Sequence, residues 1–265
     1  MPGSIAMTIL DDILLKTRQV IARDQASVPA AELIAAAKDL PACRDFHGSL
    51  AATDQVRLIA EVKRASPSAG LIREDFDPPT IAKSYEDGGA ACISVLTDEP
   101  FFQGSLDFLR AVRSAVDLPI LRKDFIVDPY QLLQARVAGA DAVLLIAECL
   151  SPQQLIEMDE QASELGLQTL IELYEPENLV PVLATKTRLV GINNRDLRTF
   201  ETDLQHCVRL AADIPSDRLV VGESGIRSAD DVAMLKAGGV KAILVGESLM
   251  RQPNIMIATK ALLTN

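Results

Sequence analysis

The chain has no tryptophan, and only 3 Tyr, 7 Phe and 2 His among its 265 residues. An interior without indole rings has to be filled by Val, Ile, Leu and Ala, which suits a parallel sheet covered by helices. Histidine is confined to His47, in a turn-like stretch, and His206, on a predicted outer helix. Proton transfer therefore falls to lysine and glutamate. The four cysteines, Cys43, Cys92, Cys149 and Cys207, are scattered and form no Cys-x-x-Cys pair and no set with a histidine that would complete a metal site, so they read as reduced thiols rather than metal ligands. A basic surplus is missing too: 26 Lys and Arg stand against 37 Asp and Glu, for a formal net charge of -11. Neither nucleic acid nor an anionic membrane is an expected partner, since both select a basic footprint. No apolar run approaches the ~20 residues of a membrane span, and Asp11, Asp12 and Lys16 interrupt any signal-peptide core. The expected location is the cytoplasm.

What is present is alternation. Ile9, Leu10, Ile13, Leu14, Val20 and Ile21 recur at helical spacing through about residue 24, and a second helix is predicted over 29–39, ending where Leu40 precedes Pro41. Eight strand-like runs follow, at 57–63, 91–96, 119–123, 142–146, 168–173, 189–193, 219–223 and 242–245. Helix signals separate them. Asp128-Pro129 and Ser151-Pro152 set an N-cap before a first-turn proline, and Ser228 with Asp231 resembles a capping box. Gly88-Gly89, Gly139 and Gly238-Gly239 each stand where a helix ends before a strand, as a left-handed C′ residue requires. No Gly-x-Gly-x-x-Gly turn follows the first strand, which argues against a doubly wound dinucleotide fold. The fold class predicted is α/β, a (β/α)₈ TIM barrel (49–265) with an N-terminal helical extension (1–48).

Each strand-like run ends in charged or glycine-bearing residues. Period-two geometry puts Ile59, Glu61 and Lys63 on one face of the first strand and Leu58, Ala60 and Val62 on the other. The apolar face belongs against the helices, so the charged one points inward at the C-terminal mouth. The same count gives an inward ring of Glu61, Lys63, Lys123, Glu172, Asn193, Arg195 and Glu223. A single buried ion pair would be adequately explained as structure. Seven polar groups at the end where barrel enzymes act describe an active site. An anionic substrate also needs a local basic pocket in this acidic chain, for which Lys63, Arg64, Lys123 and Arg195 are the candidates.

Gly222-Glu223-Ser224-Gly225 and Gly246-Glu247-Ser248 follow the last two strands, where the backbone N–H groups of barrel enzymes close around phosphate. Ser66, Pro67 and Ser68 form a proline-stiffened loop after the first strand. Phe101, Phe102 and Phe125, with Leu144 and Leu145 of the fourth strand, are candidates to wall an aromatic pocket.

Four segments together, Glu61-Val62-Lys63-Arg64-Ala65-Ser66-Pro67-Ser68, Arg122-Lys123-Asp124-Phe125-Ile126, Gly191-Ile192-Asn193-Asn194-Arg195-Asp196-Leu197 and Glu223-Ser224-Gly225-Ile226, resemble indole-3-glycerol phosphate synthase, over the whole barrel and the helical extension. The resemblance implies decarboxylating ring closure and dehydration of 1-(2-carboxyphenylamino)-1-deoxyribulose 5-phosphate. It implies Lys123 as general acid toward the substrate carbonyl, Lys63 paired with the substrate carboxylate, and Glu172 serving dehydration. Glu61 and Asn193 join the catalytic set. Ser66, Pro67, Ser68, Phe102, Phe125, Leu144, Leu145, Arg195, Leu197, Glu223, Ser224, Gly225, Gly246 and Glu247 are the expected binding residues.

The resemblance also implies an extension that covers the barrel mouth, no metal or organic cofactor, no nucleic-acid or membrane partner, and a monomer or weak homodimer. The chain departs from many relatives at Glu247, where serine is common, so its side chain is expected to turn away from the phosphate. Lys123 is expected to have its pKa lowered by desolvation or a neighbouring cation. A sugar-phosphate isomerase on a related barrel is the alternative, though the isomerase of the preceding step resembles a Cys and Asp pair and no cysteine ends the first strand. A non-catalytic binding protein would have no use for two inward lysines.

Overall fold

The structure, a computed structural model, describes residues 8–196, 199 and 201–264. Eight parallel strands close into a barrel: Arg57–Val62, Cys92–Leu96, Ile120–Lys123, Ala142–Ile146, Gln168–Leu173, Leu189–Asn193, Leu219–Glu223 and Ala242–Val245. Each pairs with the next in sequence, and the eighth closes on the first with Arg57 opposite Ala242 and Ala60 opposite Val245. All eight predicted strands are present within one residue of their expected ends. The caps hold as well. Asp128, Ser151 and Ser228 each form a capping box with Gln131, Gln154 and Asp231, and Gly89, Gly139 and Gly239 take φ of 95, 92 and 91°.

Two apolar layers follow from the alternation. Leu58, Ala60 and Val62 join the layer between strands and helices. Ile59, Leu121, Leu144, Leu170, Val221 and Leu244 fill the barrel interior. Leu145 belongs to the outer layer, so its expected place in the pocket is overturned: one residue along a strand is the opposite face. Among the described residues no helix is long and apolar enough to cross a membrane.

Among the described residues the extension contains three helices rather than two: α1 (Ile9–Ser27), α2 (Ala30–Ala37) and α3 (Phe46–Ala51). Thr8 and Asp11 form a capping box on α1. Together the helices run from one end of the barrel to the other. α1 lays Ile9, Leu10 and Ile13 over the mouth. α2 packs beside the helix Pro129–Ala138, with Leu33 in a small cluster with Ile21 and Tyr130. α3 closes the floor, where Phe46 and Leu50 are buried among the interior residues. Three bonds tie it to strand starts: the Cys92 thiol donates to Phe46 O at 3.7 Å, His47 N–H to Gln168 Oε1 at 2.7 Å, and Arg57 Nε to Ser49 O at 3.3 Å. His47 is thus helical, not in a turn. α3 escaped sequence reading because six residues are too few to show a helical period.

Candidate active site

The mouth holds a cavity of about 480 Å³. Lys63, just past the first strand, sits 2.6 Å from Glu61. Two strands further round, Lys123 Nζ donates to Glu172 Oε2 at 2.9 Å and to Glu223 Oε2 at 2.6 Å. Asn193 Nδ2 holds the other Glu172 oxygen at 2.9 Å. These groups come from five different strand ends, so the backbone ladder rather than a flexible loop sets their spacing. Two lysines thus stand apart, each with its own carboxylate partners.

The charges set one another. Burial opposes the charged form of Lys123, but Glu172, Glu223 and Glu61 outweigh it and raise its pKa above that of an ordinary lysine. The expected lowering is therefore overturned: the neighbours of Lys123 are carboxylates, not cations. Burial pushes Glu223 up to about 8, helped by the nearby Glu172 carboxylate and only partly offset by Lys123. Glu172 is likewise buried, yet the Lys123 ammonium and the Asn193 amide carry it below the usual carboxylate range. One ammonium between two carboxylates thus splits them into an ionised and a proton-holding partner. The second oxygen of Glu223, Oε1, is buried with no partner among the described residues. It occupies space that a Cβ on Gly191 would fill.

The two loops after the last strands line the cavity together. Ser224 and Gly225 have φ of 66 and 80°. A left-handed serine costs about 1–2 kcal/mol, and such strain collects where a loop must present its backbone to a ligand. Asn194 secures this loop from below by donating to Glu223 O and Ser224 O at 2.9 and 3.2 Å. Ser248 Oγ donates to Ile226 O at 2.9 Å and ties the two loops together. A Cβ on Gly246 would run into the Glu61 carboxylate. Glu247 turns to Arg251, whose Nη2 lies 3.0 Å from Oε1.

Across the mouth, Arg195 Nη1 donates to Ser68 Oγ at 2.8 Å and links the loops after the first and sixth strands. Phe102 and Phe125 stand 6.2 Å apart at 41° and form an aromatic wall.

A family model described as indole-3-glycerol phosphate synthase matches residues 10–262. The chain belongs to that family. It is therefore a decarboxylating lyase of tryptophan biosynthesis. It is 95% identical over 259 residues to the indole-3-glycerol phosphate synthase of Rhodopirellula baltica, covering 98% of this chain and 100% of that one. The Azospirillum brasilense protein of the same name is 53% identical over 206 residues, or 78% of this chain and 79% of that one. Among solved structures, a thiamine phosphate pyrophosphorylase from Pyrococcus furiosus superposes with TM-score 0.60 at 17% identity, over 79% of this chain and 94% of that one. The tryptophan synthase alpha-subunit from the same organism gives 0.59 at 16%, over 78% and 97%. These two share the fold.

Measured against the family site expected from sequence, the cavity lining includes Glu61, Lys63, Ser66, Pro67, Ser68, Phe102, Lys123, Phe125, Leu144, Glu172, Asn193, Arg195, Glu223, Ser224, Gly225, Gly246 and Glu247. Arg64 is exposed and does not line it, because it falls on the outward beat after Lys63. Phe101 packs against the interior cluster rather than the cavity. Leu197 lies outside the described residues. Sequence reasoning missed Ile9, Leu10 and Ile13 of α1 and the cations Arg227 and Arg251 beside the phosphate-type loops. Arg251 stands four residues after Glu247 in the turn following the last strand, a spacing that would have signalled it.

Proposed function

We propose that Lys123 is the general acid of ring closure, that Lys63 receives the substrate carboxylate, and that Glu172 is the base of dehydration. The observation that carries this reading is the pair of separated lysines, one held by Glu61 and the other by Glu172 and Glu223, inside one cavity. The ring carbon bearing the carboxylate attacks the ketone, and the new C–C bond pushes an electron pair onto oxygen. Lys123 delivers its proton there. A raised pKa keeps Lys123 charged at working pH, and the alkoxide forming beside it is a far stronger base than an amine, so transfer is downhill. Loss of carbon dioxide returns the electron pair to the ring. Dehydration then removes the hydroxyl with a proton from a lysine, while Glu172 takes the proton from the neighbouring CH₂.

The remaining lining supports the same substrate. Phe102 and Phe125 offer faces to the anthranilate ring. The backbone of Ser224–Gly225 and Gly246–Glu247, with Arg227 and Arg251 near it, offers donors to the phosphate. Glu61 and Asn193 orient Lys63 and Glu172, and Arg195 with Ser66, Pro67 and Ser68 closes over the sugar chain. Carbon dioxide release from 1-(2-carboxyphenylamino)-1-deoxyribulose 5-phosphate, followed alongside indole absorbance, tests the assignment. Wild type is expected to release one carbon dioxide per indole formed. Full turnover by Lys123→Ala would place the acid elsewhere.

A further inference from the structure

Two members of the Leu121-Arg122-Lys123-Asp124-Phe125 motif have no part in the chemistry above, yet both are buried. Arg122 is 4% exposed and Asp124 7%. Arg122 lies on the beat of the third strand opposite to Lys123, where a barrel normally packs apolar side chains against its helices. A guanidinium placed there is costly unless every edge is bonded. Its edges are bonded: Nε donates to Thr97 Oγ1 at 3.0 Å, Nη1 to Gln131 O at 2.7 Å and Gln134 Oε1 at 3.3 Å, and Nη2 to Asp124 Oδ2 at 2.8 Å.

What this cluster grips is the backbone around Lys123. Thr97 N–H donates to Lys123 O at 3.0 Å, and its hydroxyl donates to Asp124 Oδ2 at 2.5 Å. Asp124 Oδ1 accepts from Phe125 N–H at 2.9 Å. The carbonyl of Lys123 is thus held by the backbone of Thr97 and the amide of Phe125 by the side chain of Asp124, and Arg122 bonds both of those residues. The cluster continues to α1 through Gln134 Nε2, which donates to Asp24 Oδ2 at 2.9 Å. A second cavity of about 190 Å³ lies beneath α1, lined by Thr17, Thr97, Asp98, Arg122, Asp124 and Gln134 among others, and Asp124 borders both cavities. At this level polar bonds join α1 to the barrel beside the apolar contact of Ile21 with Tyr130.

We infer that Arg122, Asp124 and Thr97 form a positioning bracket that holds the Lys123–Phe125 turn from behind and couples the seating of α1 to the placement of the Lys123 ammonium. The inference rests on Lys123 being the acid of ring closure. A displacement of about 1 Å at a reacting group costs on the order of 10²-fold in rate, so a bracket that fixes the strand end acts on kcat more than on substrate affinity. A cluster that merely clamps the Pro129–Ala138 helix would act on stability alone.

The test compares Arg122→Met, Arg122→Lys and Asp24→Ala by steady-state kinetics, with circular dichroism and thermal melting as folding controls. Arg122→Met is expected to lower kcat by about 10- to 100-fold with KM within about threefold. Arg122→Lys, which keeps a cation for Asp124, is expected to recover at least half of that loss on a logarithmic scale. Asp24→Ala is expected to lower kcat by about two- to fivefold and to add nothing on top of Arg122→Met, as coupled residues do. Wild-type kcat in folded Arg122→Met, or equal losses in the Met and Lys variants, would overturn the bracket. If Arg122→Met does not fold, the double variant Arg122→Met/Asp124→Asn, which leaves no unpaired carboxylate, and Asp24→Ala decide by the same criteria. Full turnover in Lys123→Ala would instead refute the acid assignment on which the bracket depends.

Discussion

The two ends of this barrel are made from the same eight strands and solve opposite problems. At the floor, α3 inserts Phe46 and Leu50 among Ile59, Cys92, Ala142, Leu189 and Ala242, and the closure is apolar. At the mouth, the same strands end in Glu61, Lys123, Glu172, Asn193 and Glu223, where Lys123 bonds Glu172 and Glu223, Asn193 bonds Glu172, and Glu61 pairs with Lys63. Burying an apolar side chain at the floor contributes about 1.5–3 kcal/mol. Charges buried at the mouth return little stability even when paired. The floor therefore carries folding and the mouth carries chemistry, so damage to each should be read by different measurements.

The strongest expected effect lies at the mouth. Lys123→Ala should lower kcat by about 10²–10⁴-fold with the dichroism spectrum unchanged, whereas Lys63→Ala should act more on KM. Equal effects of the two variants on both constants would erase the distinction between the lysines.

Next is the floor. Phe46→Ala should cost about 3–5 kcal/mol, a fall in melting temperature on the order of 10 °C, with kcat of the folded protein retained. A loss of kcat without a loss of stability would mean the two ends are not separable.

Gly246→Asp brings a carboxylate against Glu61 and the phosphate-type loops, and should raise KM by about 10- to 100-fold, the loss expected when charge-assisted hydrogen bonds are spoiled. An unchanged KM in the folded variant removes these loops from the binding site.

Truncation sharpens the same comparison within the extension. Removing residues 1–44 takes away the roof residues Ile9, Leu10 and Ile13 but leaves α3 with Asp45, whose side chain accepts from Gly48 N–H at 2.8 Å. The barrel should stay folded with KM raised about tenfold, the order expected for losing a modest apolar contact with the substrate. Removing residues 1–52 opens the floor and should give an unstable chain. A molten product from the shorter truncation would show that α1 and α2 belong to the core.

A last effect is a pH dependence. Glu223 is raised from 4.5 to about 8, so between those values the folded protein holds a proton that the unfolded chain has released. Its contribution to stability is complete below about 4.5 and declines as pH rises toward 8. Glu223→Gln mimics the protonated form, so its melting temperature relative to wild type should climb between pH 5 and 9. A constant difference would place the proton on another group.

The inward ring was legible in the sequence because alternation is a geometric rule: once Ile59 faces inward, so does Glu61. That rule also corrects the errors, since Leu145 and Arg64 stand one residue off the inward beat. Strand ends, caps and left-handed glycines are local as well, and the chain states them openly. Tertiary structure alone decided the rest. No local pattern reveals that Lys123 meets Glu172 and Glu223, drawn from strands 49 and 100 residues away, and a pKa is set by such neighbours, so even the direction for Lys123 could not be read in advance. The division of the extension into roof and floor has the same origin: Ile9 and Phe46 are both apolar residues that open a helix, and only the closure of the barrel determines which end each one covers.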